Sequence, residues 1–189
     1  MRVEQFVVAY SAEQDRLRAM LPDGFASLRP VLRINAEIRD GKTGYVEFNT
    51  AAEKDGVRGW LNIAFWEKAS FARDGKTVTF ETESLTIRFT GVGIEGGCPA
   101  EKDNAGCFYP ALSDRPRAPE VIAANKEFCD CTFAWKMPGG AHGVSLGKTL
   151  PAHPTEVKTI YPRAACTVEN AAAIPCGQVL GAYCVAFER

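Results

Sequence analysis

Between Pro30 and Arg39 the side chains alternate strictly in polarity. Leu32, Ile34, Ala36 and Ile38 take one face of an extended chain, and Arg33, Asn35, Glu37 and Arg39 take the other. Tyr45 to Asn49 repeats the theme, with Val46 and Phe48 opposing Tyr45, Glu47 and Asn49. A period of two specifies sheet, and a sheet with one apolar and one polar face has two homes. On an open sheet the polar set is a solvated surface; in a closed barrel it is the lining.

Charge and composition narrow the partners. The 189 residues carry a formal net charge of −1 and a pI near 6.2, which leaves no electrostatic footprint for nucleic acid or an anionic membrane. No apolar run approaches the roughly 20 residues of a membrane span, and Met1 to Gln5 lacks the apolar middle of a signal peptide. These features predict one domain over residues 1–189, soluble and cytoplasmic, with a small molecule as partner. The seven cysteines are an odd number and fit reduced thiols better than a disulfide framework. Cys129 and Cys131 would share a strand face, but no second pair at zinc-finger spacing follows, so neither metal nor cofactor is expected. Cys98 and Cys107 lie in a Gly-rich segment suited to a reactive thiol.

Along the chain, Val3 to Tyr10 reads as a strand. Ser11-Ala12-Glu13-Gln14 has the form of a capping box, and a short helix with the apolar stripe Leu17, Met20 and Leu21 should follow, ended by Pro22 and Gly24. Turn signals at Asp40-Gly41, Asp55-Gly56 and Asp74-Gly75 separate strand-length runs, continued by Trp60 to Trp66, Thr77 to Glu83 and Leu85 to Val92. Gly93 to Pro119 has little periodicity and reads as a long loop or lid, and Pro138 to Pro154, which holds both histidines, as a second irregular stretch. Strands resume at Phe128 to Lys136 and Gln178 to Phe187. The expected class is mainly β, an antiparallel closed β-barrel with one or two short helices.

Several segments resemble a known family in residue type and spacing. Phe6-Val7-Val8-Ala9-Tyr10, Asp15-Arg16-Leu17-Arg18, Leu21-Pro22 and Pro30-Val31-Leu32-Arg33 are similar to the opening of acetoacetate decarboxylases. Gly44-Tyr45-Val46-Glu47 looks like that family's G-x-Y-x-E segment, and Asp55 to Gly59 with Leu61 to Trp66 like the turn and strand after it. Ile174-Pro175 and Gln178-Val179-Leu180 resemble its closing segment. About 65 N-terminal residues and about 15 near the C-terminus are covered. The resemblance implies a cone-like antiparallel barrel with a buried polar cavity, in a homo-oligomer. It also implies decarboxylation through a lysine of depressed pKa that forms a Schiff base with a ketone.

The catalytic part of the resemblance fails. No adjacent lysine pair occurs anywhere in the chain, and Lys68, Lys76 and Lys102 are isolated. The family's R-x-E, whose glutamate faces the active site, is Arg33-Ile34-Asn35 here, so a carboxylate has become an amide. Glu47 matches the family's other active-site glutamate, and Val3, beside Arg2, stands where the family has a catalytic arginine.

The remaining chemistry rests on five residues. Glu47 is the expected acid or base, with burial and a neighbouring Arg33 acting on its charge in opposite directions. Asn35 has an amide to orient a carbonyl or stabilise an enol. Arg33 would grip a ligand carboxylate, Tyr45 lies beside Glu47 in the pattern, and His142 sits among small residues in Gly139-Gly140-Ala141-His142-Gly143. The function expected is binding of a small anionic carbonyl compound, with lyase, hydratase or isomerase chemistry on a small oxo acid and no imine. A non-catalytic binding or sensing module is the alternative, and a true decarboxylase with a relocated lysine a third reading. Gly91-x-Gly93-x-x-Gly96 has the letters of a dinucleotide fingerprint, but Gly97-Cys98-Pro99 follows where a helix should begin.

Overall fold

The computed structural model describes residues 1–92, 106–109, 113–117, 127–146 and 152–189. The elements run β1 (Arg2–Ser11), α1 (Gln14–Met20), β2 (Ala26–Arg39), β3 (Thr43–Lys54), β4 (Val57–Asp74), β5 (Thr77–Glu81), β6 (Leu85–Thr90), β7 (Gly106–Tyr109), β8 (Ser113–Arg117), β9 (Glu127–Trp135), β10 (His142–Leu146), α2 (Val168–Ala172) and β11 (Gln178–Glu188). The chain is mainly β, with two short helices among the described residues.

The local chemistry of the turns sets the hairpins. Asp40 and Gly41 have φ of 49° and 67°, and Asp55 and Gly56 of 51° and 77°. Two consecutive left-handed residues match the right-handed twist of the flanking strands, which is why Asp-Gly is favoured there. The hairpins build one sheet in the order β3-β2-β1-β11-β9-β6-β5-β4-β7-β8, with β10 added on β9. Its ladders are antiparallel apart from the short β4–β7 pairing. β4 is shared: Ser70–Asp74 pair with β5, while Val57–Ala69 run beside β3. The sheet therefore curls as a half-barrel. At the β3–β4 approach Gly44 is required, because an added methyl would sit on the Ala69 carbonyl.

The apolar set read from the alternation forms the main core. Leu32, Ile34, Ala36, Ile38, Val46 and Phe48 pack with Phe6, Val8 and Tyr10 of β1 and with Phe80, Phe89 and Trp135 of β5, β6 and β9. Leu17 and Met20 of α1 close the same cluster, as their helical spacing predicts. A smaller cluster of Val31, Ala51, Trp60 and Leu180 lies apart from it. Residues 30–38 of β2 and 44–52 of β3 are all buried, so both faces of these strands are covered.

Three local expectations need correction. The capping box does not form: Ser11 still belongs to β1 and its hydroxyl donates to the Gln178 carbonyl, while the N-cap Glu13 makes no side-chain cap hydrogen bond. Strand pairing has taken the serine before the helix could use it. The Gly93 to Pro119 segment contains β7 and β8, and the rest of it, with Cys98, Lys102 and the Gly93 and Gly96 positions of the glycine motif, lies outside the described residues. The Pro138 to Pro154 stretch contains β10, where His142 to Leu146 pair with Ala134 to Asp130.

Residues 152–167 have no regular structure but are fastened to α1. Asp15 Oδ2 accepts from the backbone amides of Thr159 at 2.7 Å and Lys158 at 2.9 Å, and Gln14 Oε1 accepts from the Thr155 amide at 2.7 Å. The Thr159 and Lys158 amides, with Arg18 adding to them, hold the Asp15 carboxyl below its ordinary value of 3.8. Asp15 thus stabilises the fold fully above that ordinary value, and the contribution disappears as pH falls through the lower folded value. Thermal unfolding followed from about pH 7 to about pH 2.5 should show a steep acid limb that Asp15→Asn flattens, with a lower Tm for the variant at neutral pH.

Candidate functional site

Register brings the polar residues together. In β2 and β3, Arg33 lies opposite Asn49, Asn35 opposite Glu47 and Glu37 opposite Tyr45. Across the other edge of β2, Ala9, Val7 and Gln5 of β1 stand against Arg33, Asn35 and Glu37. Directly opposed residues share a sheet face, so the stripe read along one strand is continued on the next. In β4 a bulge completes it. Phe48 pairs with Ala64 but Asn49 pairs with Asn62, which leaves Ile63 as the extra residue. That shift by one residue puts Asn62 and Trp60 on the polar face; in perfect register they would point the other way.

Glu47 is the centre of this face. Its Oε1 accepts from Asn35 Nδ2 at 2.9 Å and Asn49 Nδ2 at 3.1 Å, and its Oε2 accepts from the Tyr45 hydroxyl at 2.8 Å. Arg33 Nη2 stands 3.9 Å from Oε1, a charge contact longer than a hydrogen bond. Asn62 Nδ2 donates in turn to Asn49 Oδ1 at 3.2 Å. All these side chains are buried; Glu47 keeps 5% of its surface and Asn35 3%. Both carboxylate oxygens thus act as acceptors, from two amides and a phenol, with a guanidinium close by. Asn35 Oδ1 is buried with no hydrogen-bond partner among the described residues.

Two arginine–aromatic stacks flank the centre. The Arg33 guanidinium carbon lies 3.9 Å from the Trp60 ring centroid and that of Arg29 lies 5.3 Å from it. On the other side Arg39 stacks over Tyr45 at 3.8 Å. Arg39 also bonds Glu37 at 2.8 Å, and Arg189 grips the same carboxylate with both terminal nitrogens, at 3.0 and 3.2 Å. Tyr45 therefore links two buried carboxylates: its ring carries the cation on Glu37 and its hydroxyl bonds Glu47.

The structure thus brings together Arg33, Asn35, Tyr45 and Glu47 and leaves His142 elsewhere. His142 is exposed on β10, which pairs with β9 away from β2 and β3. Val3 is fully buried opposite Arg39, and Arg2 is exposed, so the guanidinium at this end of the face comes from β2. Among the described residues no lysine is buried, and Lys68 and Lys76 are exposed. No group of residues suited to holding a metal occurs among the described residues. Cys129 and Cys131 share the core-facing side of β9. The Cys184 contact and burial push the Cys129 thiol up, burial alone raises Cys131, and burial pushes Cys166 up to about 11. Thiols so raised stay protonated and unreactive.

Asn49, Asn62 and Trp60 extend the site beyond the residues singled out from the sequence. Asn49 was visible in the alternation as one more polar position. The signal for Asn62 was an amide interrupting the apolar run Trp60 to Trp66, but its facing depends on a bulge that the run does not announce.

Fold comparison gives these residues a context. No protein-family model matches the chain, and no curated protein matches it in sequence. Among solved structures it is similar to an acetoacetate decarboxylase from Legionella pneumophila, with 13% identity, a TM-score of 0.53, and coverage of 98% of this chain and 81% of that one. It is also similar to an acetoacetate decarboxylase-like enzyme from Sphingomonas wittichii, at 13% identity and a TM-score of 0.48 over 98% of this chain and 87% of that one. The chain has the acetoacetate decarboxylase fold.

The hydrogen bonds to Glu47 are open to a direct test. Tyr45→Phe keeps the ring under Arg39 and deletes one donor to a buried carboxylate. It should lower unfolding free energy by about 1.5–3 kcal/mol in urea titrations, and the loss should shrink when Glu47 is replaced by Gln in a double-mutant cycle.

Proposed function

We propose that the chain is a divergent acetoacetate decarboxylase-like protein that binds a small anionic carbonyl compound on the Arg33–Asn35–Tyr45–Glu47 face. The chemistry that fits is proton transfer without an imine, of the lyase, hydratase or isomerase kind, on a small oxo acid. One observation carries this reading: a buried carboxylate at the meeting point of two amides, a phenol and a guanidinium. Arg33, stacked on Trp60 beside Arg29, is the group to grip a carboxylate, and Glu47 is the group to move a proton. The return of β4 to β3 supports a sheet closed as a cone around this face. A cytoplasmic homo-oligomer belongs to the same proposal, and the buried free thiols of Cys129 and Cys131 accord with a reducing compartment.

A second reading has its own support. The Glu47 oxygens are engaged by donors within the protein, as in a carboxylate that serves binding and structure alone, so a non-catalytic binding or sensing module is the alternative. The distinction is measurable. A panel of small oxo acids should both raise the Tm of the chain and be consumed; stabilisation without turnover would leave the module.

Glu47→Gln separates the roles. The glutamine oxygen can keep the Asn35 and Asn49 donors, and its amide can donate to a rotated Tyr45 hydroxyl, so the fold should survive. Turnover should fall by about 10²–10⁴, the ordinary worth of a general acid or base, and retained activity would remove Glu47 from the chemistry. Borohydride reduction in the presence of acetoacetate should give no covalent adduct by mass. An adduct would restore a Schiff-base decarboxylase with a relocated lysine.

A further inference from the structure

Glu47 dictates which way the Asn35 amide faces. An ionised carboxylate only accepts, so the atom 2.9 Å from Glu47 Oε1 has to be the amide nitrogen; the flipped amide would set two acceptors against each other. The oxygen is therefore turned away from Glu47. There it is buried and lacks a partner among the described residues. The neighbouring amide shows the contrast, since Asn49 Oδ1 receives Asn62 Nδ2. A buried acceptor left empty destabilises a fold, and strands this well paired have no reason to keep one unless something else supplies the donor.

Arg33 stands two residues earlier on the same face of β2. Two positions along a strand are about 6.6 Å apart, a span that suits a carboxylate at one end and a polar substituent one or two carbons away at the other. We propose that the ligand carries an O–H donor on one of those carbons, as a hydroxy acid or an enol does, and that Asn35 Oδ1 accepts from it. Asn35 is then the specificity-determining residue of the site, selecting the hydroxyl form over the keto form. A keto oxygen in the same place would face the amide oxygen acceptor to acceptor. An ammonium group would donate as well, but it would bring a second cation beside Arg33. The inference rests on the carboxylate-binding part of the reading above and revises the other part, putting a hydroxyl or enol form of the acid where that reading has its carbonyl.

Matched ligands test it on the full chain. Lactate, pyruvate, alanine and propionate form one set differing only at the second carbon; 3-hydroxybutyrate, acetoacetate, 3-aminobutyrate and butyrate form a second. Titration calorimetry should give affinities at least about tenfold higher for the hydroxy acid than for the oxo and unsubstituted members of its set. Asn35→Ala should erase that preference while Arg33 still binds acids. Equal or tighter binding of the oxo acid, a preference for the amino acid, or an unchanged preference in Asn35→Ala would each overturn the proposal and leave the carboxylate-binding reading standing. If no acid of either set binds, both fall. Should the variant fail to fold, the ranking of ligands by the unaltered chain decides alone.

Discussion

A carboxylate can be kept from water only where donors and a countercharge surround it, and the register of three strands around Glu47 meets that condition. Asn35 comes from β2, Tyr45 and Asn49 from β3, and Asn62, behind Asn49, from β4. Asn35 and Asn62 depend on pairing that is exact to the residue, while Tyr45 and Asn49 share the face of Glu47 by alternation along β3. A slip of one position between β2 and β3 would carry Asn35 to the core face and strand Glu47 without that donor. The Asp40-Gly41 turn, with both residues left-handed, fixes that pairing from one end. The Ile63 bulge fixes the other side by delivering Asn62 where regular pairing would have delivered an isoleucine.

The same face solves its charge problem twice. Glu37 is buried to 2% and receives Arg39 and Arg189, while Glu47 receives neutral donors with Arg33 further off. The first arrangement is a tight ion pair whose geometry holds the end of β11 against β2. The second is looser, and its hydrogen bonds come from groups that can be satisfied by either a carboxylate or an amide. Tyr45 belongs to both, through its ring and its hydroxyl, so a shift of that one side chain would be felt at each carboxylate. The rigid pair makes a frame, and the looser centre is the part of the face where an exchange of hydrogen-bond partners costs less.

Much of this was legible in the sequence, and the limits have physical causes. Alternation is a property of single strands, so the apolar and polar sets of β2 and β3 and the core role of Leu17 and Met20 could be read directly. The spacing of Tyr45, Glu47 and the Arg33 segment carried the likeness in fold. Bulges and cross-strand partners are properties of pairs of strands; Asn62, Trp60 and the Glu37–Arg189 link were therefore out of reach. Ser11 shows the same boundary from the other direction. Its local signal for a helix cap was sound, but the hydroxyl lies in β1 and went to Gln178, a residue far along the chain. His142 had small neighbours because β10 runs close to β9, where Gly143 leaves room for the Phe133 ring.

Among the described residues no lysine is buried. A Schiff base needs an amine kept neutral by burial or by a neighbouring cation, and every described lysine of this chain is at least partly exposed. The Asn35 amide can neither take nor give a proton near neutral pH. An amide at residue 35 places no like charge beside Glu47 and supplies a donor to it. An amide whose nitrogen faces Glu47 turns its oxygen the other way. The sheet can therefore be shared with a decarboxylase while the face of β2 and β3 carries its own set of polar groups.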